Sequence, residues 1–334
     1  MIPGDPGSGL PFHASLLAFA KDSFSTAAQL VDTAERMRAA YQEQCEKRSV
    51  SFGEPERFFR VLERGAWNPG IDPARVEVMA QTVESFVDLP ALARRVTQAV
   101  RDHPRITVLT GHDVVGARPR GEADGGGFDL EVRVDRGAGT VVGARRVLNA
   151  SWISRRRLDA DIAAHTGARP PADTVYRLRA LLRVRLSGEQ LDTPSALVAH
   201  GPFCTFTNCG DGTGLMMYEP VSNVATAKDH VPAQWWPLLD ESFPPEQHDT
   251  LARTILAGVA EFIPALRGAE PLDVMASALY HGGQADIYDP TSAIHHRLGT
   301  GVKQLSPHWL SLDSGKLTWV PRYADHVVTT GMST

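Results

Sequence analysis

The sequence predicts an α/β (α+β) fold in which a lobe of short strands and helices is interleaved with an antiparallel-sheet lobe. Three observations carry this expectation. Arg145-Arg146-Val147-Leu148-Asn149-Ala150-Ser151-Trp152 delivers a short β-branched and leucine run to an Asn and two small residues. That is the pattern of a strand whose carboxyl end lets a ligand approach the backbone. Residues 113–147 alternate between apolar and polar side chains, as the strands of a meander do. Residues 176–220 hold several more alternating runs, and no long Ser/Gly linker sets them apart as a separate bead.

Taken in order, the glycines of residues 1–12 follow no strand-forming run and are interrupted by Pro3 and Pro6, so this stretch is a flexible leader. Residues 14–48 carry a helical period. Leu16, Leu17, Phe19 and Ala20, then Ala27, Leu30, Val31, Ala34, Met37 and Tyr41, recur at three- and four-residue steps. Asp22 or Ser23, or else Ser25 or Thr26, is placed to cap the second helix. Residues 51–64 and 73–86 are shorter elements, broken by Gly53, Pro55, Asn68-Pro69-Gly70 and Pro73. Residues 90–100 suit a helix, and the apolar run Ile106-Thr107-Val108-Leu109 a buried parallel strand.

The meander follows in residues 114–118, 128–134 and 140–142, with Gly121 to Gly127 as an acidic, glycine-rich hairpin loop whose carboxylates would repel a phosphate. Residues 155–165 form a helix that opens on Arg155, Arg156 and Arg157, a run that usually marks a solvated face; its arginines could instead meet a cofactor or a carboxylate substrate. Tyr176, Leu178 and Ala180 alternate with Arg177 and Arg179 in a half-solvated strand, with a register break near Leu181 and Leu182. Strands at 197–200, 204–207, 215–218 and 274–281, a Pro- and Trp-rich connection at 230–247 and a helix at 251–263 ended by Pro264 complete this part. The chain thereby divides into a leader (1–12), a helical region (13–88), a lobe with the meander (89–165), an antiparallel lobe (166–298) and a closing segment (299–334).

Composition is that of a globular protein with ample core: 43% of the 334 residues are hydrophobic and 22% charged. A net charge of −5 recruits neither nucleic acid nor an anionic membrane. No apolar run approaches the roughly 18 residues of a membrane span, and no basic start precedes an apolar stretch, so the expected location is cytoplasmic. Cys45, Cys204 and Cys209 are an odd and sparse set, which points to reduced thiols. Although His200 lies near Cys204 and Cys209, no second ligand cluster accompanies them and no metal is expected.

Thr300-Gly301-Val302, then Ser311-Leu312-Asp313-Ser314-Gly315-Lys316-Leu317-Thr318, followed by Pro321 and Ala324, resemble the closing segment of flavin-dependent oxidoreductases related to D-amino-acid and glycine oxidases. Residues 106–109 with His112-Asp113-Val114-Val115 resemble the family's strand and the start of its meander. Residues 147–151 resemble its second flavin-contacting strand end, commonly of Val-Asn-Ala type. Residues 176–186, His200-Gly201-Pro202-Phe203 and residues 210–220 resemble its substrate-domain strands. The pieces occur in the family's order over residues 13–328. These enzymes start with a strand, a Gly-x-Gly-x-x-Gly turn and a helix whose N-terminal N–H groups hold the cofactor pyrophosphate. That motif is absent from the sequence. The resemblance therefore implies an incomplete Rossmann-like FAD-binding domain with a β-meander, starting near His13, where the family often has a His close to the flavin.

The resemblance assigns FAD contacts to His13, Val114, Val115, Asn149, Ala150, Ser151, Gly315, Lys316, Leu317 and Thr318. Backbone donors at residues 315–318 would stabilise negative charge on the reduced ring, and Lys316 would add to it. His200, Tyr218 and His281 stand at strand ends or in strands from which they can reach a pocket as acid or base. The leading expectation is an FAD-dependent oxidoreductase of a small amine or hydroxyl-bearing substrate, its pyrophosphate unit lost by truncation or a misplaced start, or supplied by a partner. Unpaired sheet edges and self-association go with it. The alternatives are a cofactor-free descendant acting as a binding or assembly module, and a cofactor-independent enzyme using the same pocket.

Overall fold

A computed structural model describes residues 15–48, 59–68, 70–82, 87, 89–121, 125–134, 137, 139–168, 174–296, 300–313 and 315–329. In chain order its strands are β1 (Ser15–Ala20), β2 (Phe59–Val61), β3 (Val76–Thr82), β4 (His112–Pro119), β5 (Phe128–Val134), β6 (Gly139–Ala144), β7 (Val147–Asn149), β8 (Thr174–Arg185), β9 (Ala196–Ala199), β10 (Cys204–Asn208), β11 (Thr213–Tyr218), β12 (Asn223–Lys228), β13 (Glu270–Gly282), β14 (Gly301–Ser306) and β15 (Trp309–Asp313). The longer helices are α1 (Ala27–Arg48), α2 (Leu89–Asp102), α3 (Arg155–Thr166), α4 (Pro245–Phe262) and α5 (Val320–Thr329). The chain forms two units of three segments each: residues 1–95, 178–224 and 237–277, and residues 96–177, 225–236 and 278–334. This division falls elsewhere than the boundaries at residues 165 and 298 expected from sequence.

The first unit holds most of a mixed sheet of order β12-β8-β11-β10-β9-β1-β3-β2, with β13 also against β8. Inside it β1 pairs antiparallel with β3 and parallel with β9. Residues 15–20 are thus a strand and not the helix expected from residues 14–48; the helix begins only at Ala27. A six-residue apolar run does not separate a helix from a strand by period. Two strand partners decide the matter here, and they bury Ala18 and Ala20 completely. α4 packs on β10 and β11 through a buried face of Leu251, Ile255, Val259 and Phe262, each contributing about 1.5–3 kcal/mol by burial.

The second unit contains the meander, β4-β5-β6, and a three-stranded sheet of order β14-β15-β7. α3 packs against β4, β7, β14 and β15. Leu158 and Ile162, one helical turn apart, join Ala117, Phe128 and Trp309 in a core whose two rings meet edge to face at 5.1 Å. Gly167, at φ +67°, ends α3 by donating its N–H to Ala163 at 3.1 Å.

Residues 106–109, expected as a buried parallel strand, pair with no strand among the described residues. Ile106, Val108 and Leu109 are 45, 47 and 58% exposed. The run lies between Pro104 and Gly111, which takes φ +69°, and forms the connection from α2 to β4. The half-solvated strand expected at residues 176–186 also needs correction. β8 alternates only from Leu182 onward; before that Tyr176, Leu178, Arg179 and Ala180 are all buried.

Candidate cofactor site at the ends of two parallel strands

β7 and β15 run parallel, with Asn149 opposite Ser311. The residues that follow each strand therefore leave the sheet at the same end. These are Ala150 and Ser151 after one strand and the Gly315 turn after the other. Ala150, Ser151, Lys316 and Leu317 are exposed. Gly315 sits at φ +55°, where a Cβ would come within 2.8 Å of Thr300 Cγ2 and 3.2 Å of Trp319 Cζ3. Only glycine takes that conformation and that space without cost. Just beyond it, residues 317–319 form a tight helical turn whose first N–H groups have no acceptor within the turn.

Beneath these exposed segments lies a buried polar cluster. Asn149, 3% exposed, donates Nδ2 to the Arg155 carbonyl at 3.0 Å and to Asp159 Oδ1 at 2.8 Å. Its Oδ1 accepts the Ser151 hydroxyl at 2.6 Å and the Ser151 N–H at 3.3 Å. Asp159, 1% exposed, also accepts the Trp309 indole N–H at 3.1 Å, Arg155 Nη1 at 3.0 Å and the Ser311 hydroxyl at 2.5 Å. Arg155 further reaches Ser311 at 3.1 Å and Asp313 at 3.4 Å. Burial works against its charge, but Tyr280, Asp313 and Asp159 outweigh burial and hold its pKa above the ordinary guanidinium value.

Two expectations change here. Arg155, placed by sequence in a solvated arginine face, is 3% exposed, and Arg156 pairs with Asp229 at 2.8 Å; Arg157 alone keeps to solvent. The reason is geometric, since a residue at the first turn of α3 lies one turn from Asp159 and meets it directly. The Asn149 side chain, in turn, spends all its donors and acceptors inside the protein. What this strand end offers a ligand is the backbone it holds in place.

Over the cluster lies Tyr280. The Arg155 guanidinium sits 5.2 Å from its ring centroid, and the Trp152 and Tyr176 rings lie 5.2 and 6.1 Å away. Its hydroxyl is shut off from solvent beside Arg155 and Asp313, with no well-aligned hydrogen bond to either. Burial pushes its pKa up to about 12, against the opposing pull of Arg155. Trp152 adopts φ +51°, a strained value for a large side chain, and is held by its indole donating to the Ala278 carbonyl at 3.0 Å.

The remaining candidates are placed as follows. Val114 packs against the second unit's core, and Val115 falls where the β4–β5 register shifts. His281 follows Tyr280 on β13, with both ring nitrogens shut off from solvent. In the first unit, His200 follows β9 and is clasped by residues 23–25: Ser25 Oγ lies 3.0 Å from its Nδ1, the Phe24 N–H donates to its carbonyl at 2.8 Å, and its own N–H donates to Ser23 Oγ at 3.0 Å. Tyr218 lays its ring against Gly258 of α4 so closely that a Cβ there would overlap it. His13 and the Thr318 side chain lie outside the described residues. Sequence reasoning missed Asp159, Ser311 and Tyr280. The Arg155/Asp159 spacing of four on a helix was the available signal for the first.

No protein-family model and no curated protein matches the sequence. Among solved structures the fold is similar to glycine oxidase from Geobacillus kaustophilus, with TM-score 0.56 and 15% identity over 91% of this chain and 65% of that one. It is also similar to a thermally stable fructosyl peptide oxidase mutant, with TM-score 0.58 and 14% identity over 95% and 70%. L-proline dehydrogenase from P. horikoshii gives TM-score 0.56 and 14% identity over 92% and 69%. The chain thus shares the mixed α/β fold of these neighbours. It spans about two thirds of the length of these neighbours.

Proposed function

We propose that the chain is an FAD-dependent oxidoreductase acting on a small amine or amino acid, with the flavin ring at the shared end of β7 and β15. The observation that supports this reading is the parallel Asn149–Ser311 pairing, from which the Ala150-Ser151 and Gly315 segments both leave at the same end of the sheet. The residues present fit the ring half of the cofactor in their donors: Ala150 and Ser151 are exposed and the first N–H groups of the 317–319 turn have no acceptor within it, whereas the space beside Gly315 itself is taken by Thr300 and Trp319. A pyrophosphate grip of the Gly-x-Gly-x-x-Gly type is not among these 334 residues, since the sequence contains no such motif. When bound, a flavin would supply the hydride-accepting chemistry for oxidising a substrate C–H bond.

The chain's own contribution is positional and electrostatic. Lys316 and the first N–H groups of the 317–319 turn favour negative charge at the ring edge. The Asp159 cluster keeps both strand ends in register. Tyr280 stays protonated across the physiological range and offers a hydroxyl donor. Of the three candidate proton carriers we assign positioning roles to His200 and Tyr218, whose contacts hold a loop and a helix, and none to His281, which as the neighbour of Tyr280 on β13 points to the opposite face of that strand. The fold of amine and amino-acid oxidoreductases supports the substrate class, and three cysteines that form no disulfide support a reducing, cytoplasmic setting. Among the described residues no helix is long and apolar enough to cross a membrane.

The test is the absorbance spectrum of the purified protein after incubation with FAD and removal of excess. The expected result is a retained flavin spectrum that Gly315→Leu abolishes while circular dichroism stays unchanged. Wild-type protein that retains no flavin, even when extended by its upstream reading frame, would overturn the reading. That same negative result would select a second reading, a cofactor-free binding or assembly module. β7 has a pairing partner on one side only among the described residues. We accordingly propose self-association through its free edge, read as a concentration-dependent mass by light scattering.

A further inference from the structure

We infer that the cleft between α5 and β14 is a second ligand site, built for a small anionic group carried on a flat ring. The cleft has a volume of about 380 Å³ and is lined by Thr300, Gly301, Trp319, Arg322, Tyr323 and His326 among others. That volume lies in the range of small-molecule sites. Residues 319, 322, 323 and 326 recur at helical steps of three and four, so one face presents an indole, a guanidinium, a phenol and an imidazole together.

Each lining group argues for the same ligand chemistry. Among the described residues no carboxylate lines the cleft. Arg322 is exposed and makes no ion pair among the described residues. A guanidinium without a partner in a cleft is a fork for a carboxylate or phosphate. Beside it, Trp319 and Tyr323 meet edge to face at 6.1 Å. Tyr323 is 8% exposed and serves as a fixed wall, whereas Trp319 is 37% exposed and keeps part of its face for stacking. His326 adds a second ring-nitrogen group one turn along. The space beside Gly301 is open, since a Cβ there would meet no atom within 4 Å. Trp319 and Thr300 also buttress Gly315, so the cleft shares these two residues with that turn.

Two sources share this chemistry, a nucleoside monophosphate and an aromatic carboxylate, and titration calorimetry on the full chain separates them. AMP and benzoate are the two anion-on-ring probes; inorganic phosphate and adenosine are the half-probes. At least one of the first pair should bind saturably, at least about tenfold more tightly than either half-probe. The tighter of AMP and benzoate names the source. Arg322→Gln, at an exposed position, should weaken that binding by about tenfold or more and leave the thermal midpoint unchanged. Trp319→Phe should weaken it less, because a smaller ring still stacks. The site does not depend on flavin binding, so it should survive in protein that holds no FAD. Absence of binding by both AMP and benzoate, equal binding by Arg322→Gln, or displacement of AMP by FAD at one equivalent would overturn the proposal.

Discussion

Two strand ends carry polar residues that sequence marks as functional, and they are built in opposite ways. At the end of β7, Asn149, Arg155, Asp159 and Ser311 form a network sealed from water, in which Asp159 alone accepts from four side chains. At the end of β9, half-buried His200 is held by two serines and a backbone amide, with no charged partner in that clasp. A buried charge must be fully paired to be tolerated, whereas a half-buried imidazole needs only orientation. The first region therefore fixes the architecture under the candidate site, and the second fixes a loop.

The sharpest way to break that contrast is Asp159→Ala. It leaves the Arg155 charge buried with only the more distant Asp313 and strands the donors of Asn149, Trp309 and Ser311. Such loss of one partner from a buried pair costs about 3–5 kcal/mol. Denaturant unfolding of the two proteins measures it; a loss below about 1 kcal/mol would mean that water enters the cluster and that the two regions are alike.

Tyr280 tests the rim of the same region. Its folded pKa of about 12 lies above the ordinary 10.0 because burial disfavours the phenolate. A raised folded pKa gives stability that is whole below pH 10 and is lost as pH rises toward 12. Two pKa steps correspond to about 3 kcal/mol at most. Tyr280→Phe should therefore lose less stability than wild type between those pH values, while changing little at neutral pH. Parallel alkaline profiles for the two proteins would show that Tyr280 is open to solvent.

How much of this was legible in sequence follows from which interactions are local. The meander was readable because alternation and glycine turns act within each hairpin, and all three strands of β4, β5 and β6 form where alternation placed them. The pairing of the β7 and β15 ends was reachable only through resemblance, since it joins residues 162 positions apart, Asn149 and Ser311. Short apolar runs were the weak point. Residues 15–20 and 106–109 look alike in hydrophobicity, yet one is sandwiched between two strands and the other is an exposed connection. Nothing within either run encodes its partners. The role of Asn149 was half legible: its position at a strand end was visible, but the four hydrogen bonds that absorb its side chain depend on α3 and on the turn beyond it.

In the first unit the expected effects are smaller. Ser25→Ala removes the hydroxyl from His200 Nδ1, a neutral and partly solvated hydrogen bond worth about 0.5–1.5 kcal/mol. The bonds of the His200 backbone to Ser23 Oγ and to the Phe24 N–H remain, so His200 should keep its place. A loss of several kcal/mol in the same denaturant measurement would reveal a network as tightly coupled as that around Asp159.

The smallest effect belongs to the β10–β11 hairpin. The Asp211 carboxylate accepts the Thr213 hydroxyl at 2.6 Å and the Thr213 N–H at 2.9 Å. The hydroxyl chiefly holds its pKa below the ordinary 3.8, against the opposing effect of burial and with help from the Thr213 N–H. A depressed folded pKa contributes stability that is present above the ordinary carboxylate range and is lost as pH falls through the folded value. Thr213→Val keeps the β-branched shape and the N–H while deleting the hydroxyl, so Asp211 should take up its proton at a higher pH. The carbon-13 chemical shift of the Asp211 carboxyl, followed through an acid titration, reads this directly. Solvent screening at this exposed turn leaves the effect on global stability slight. An unchanged or lower Asp211 midpoint in the valine variant would show that the backbone amide, and not the hydroxyl, governs this turn.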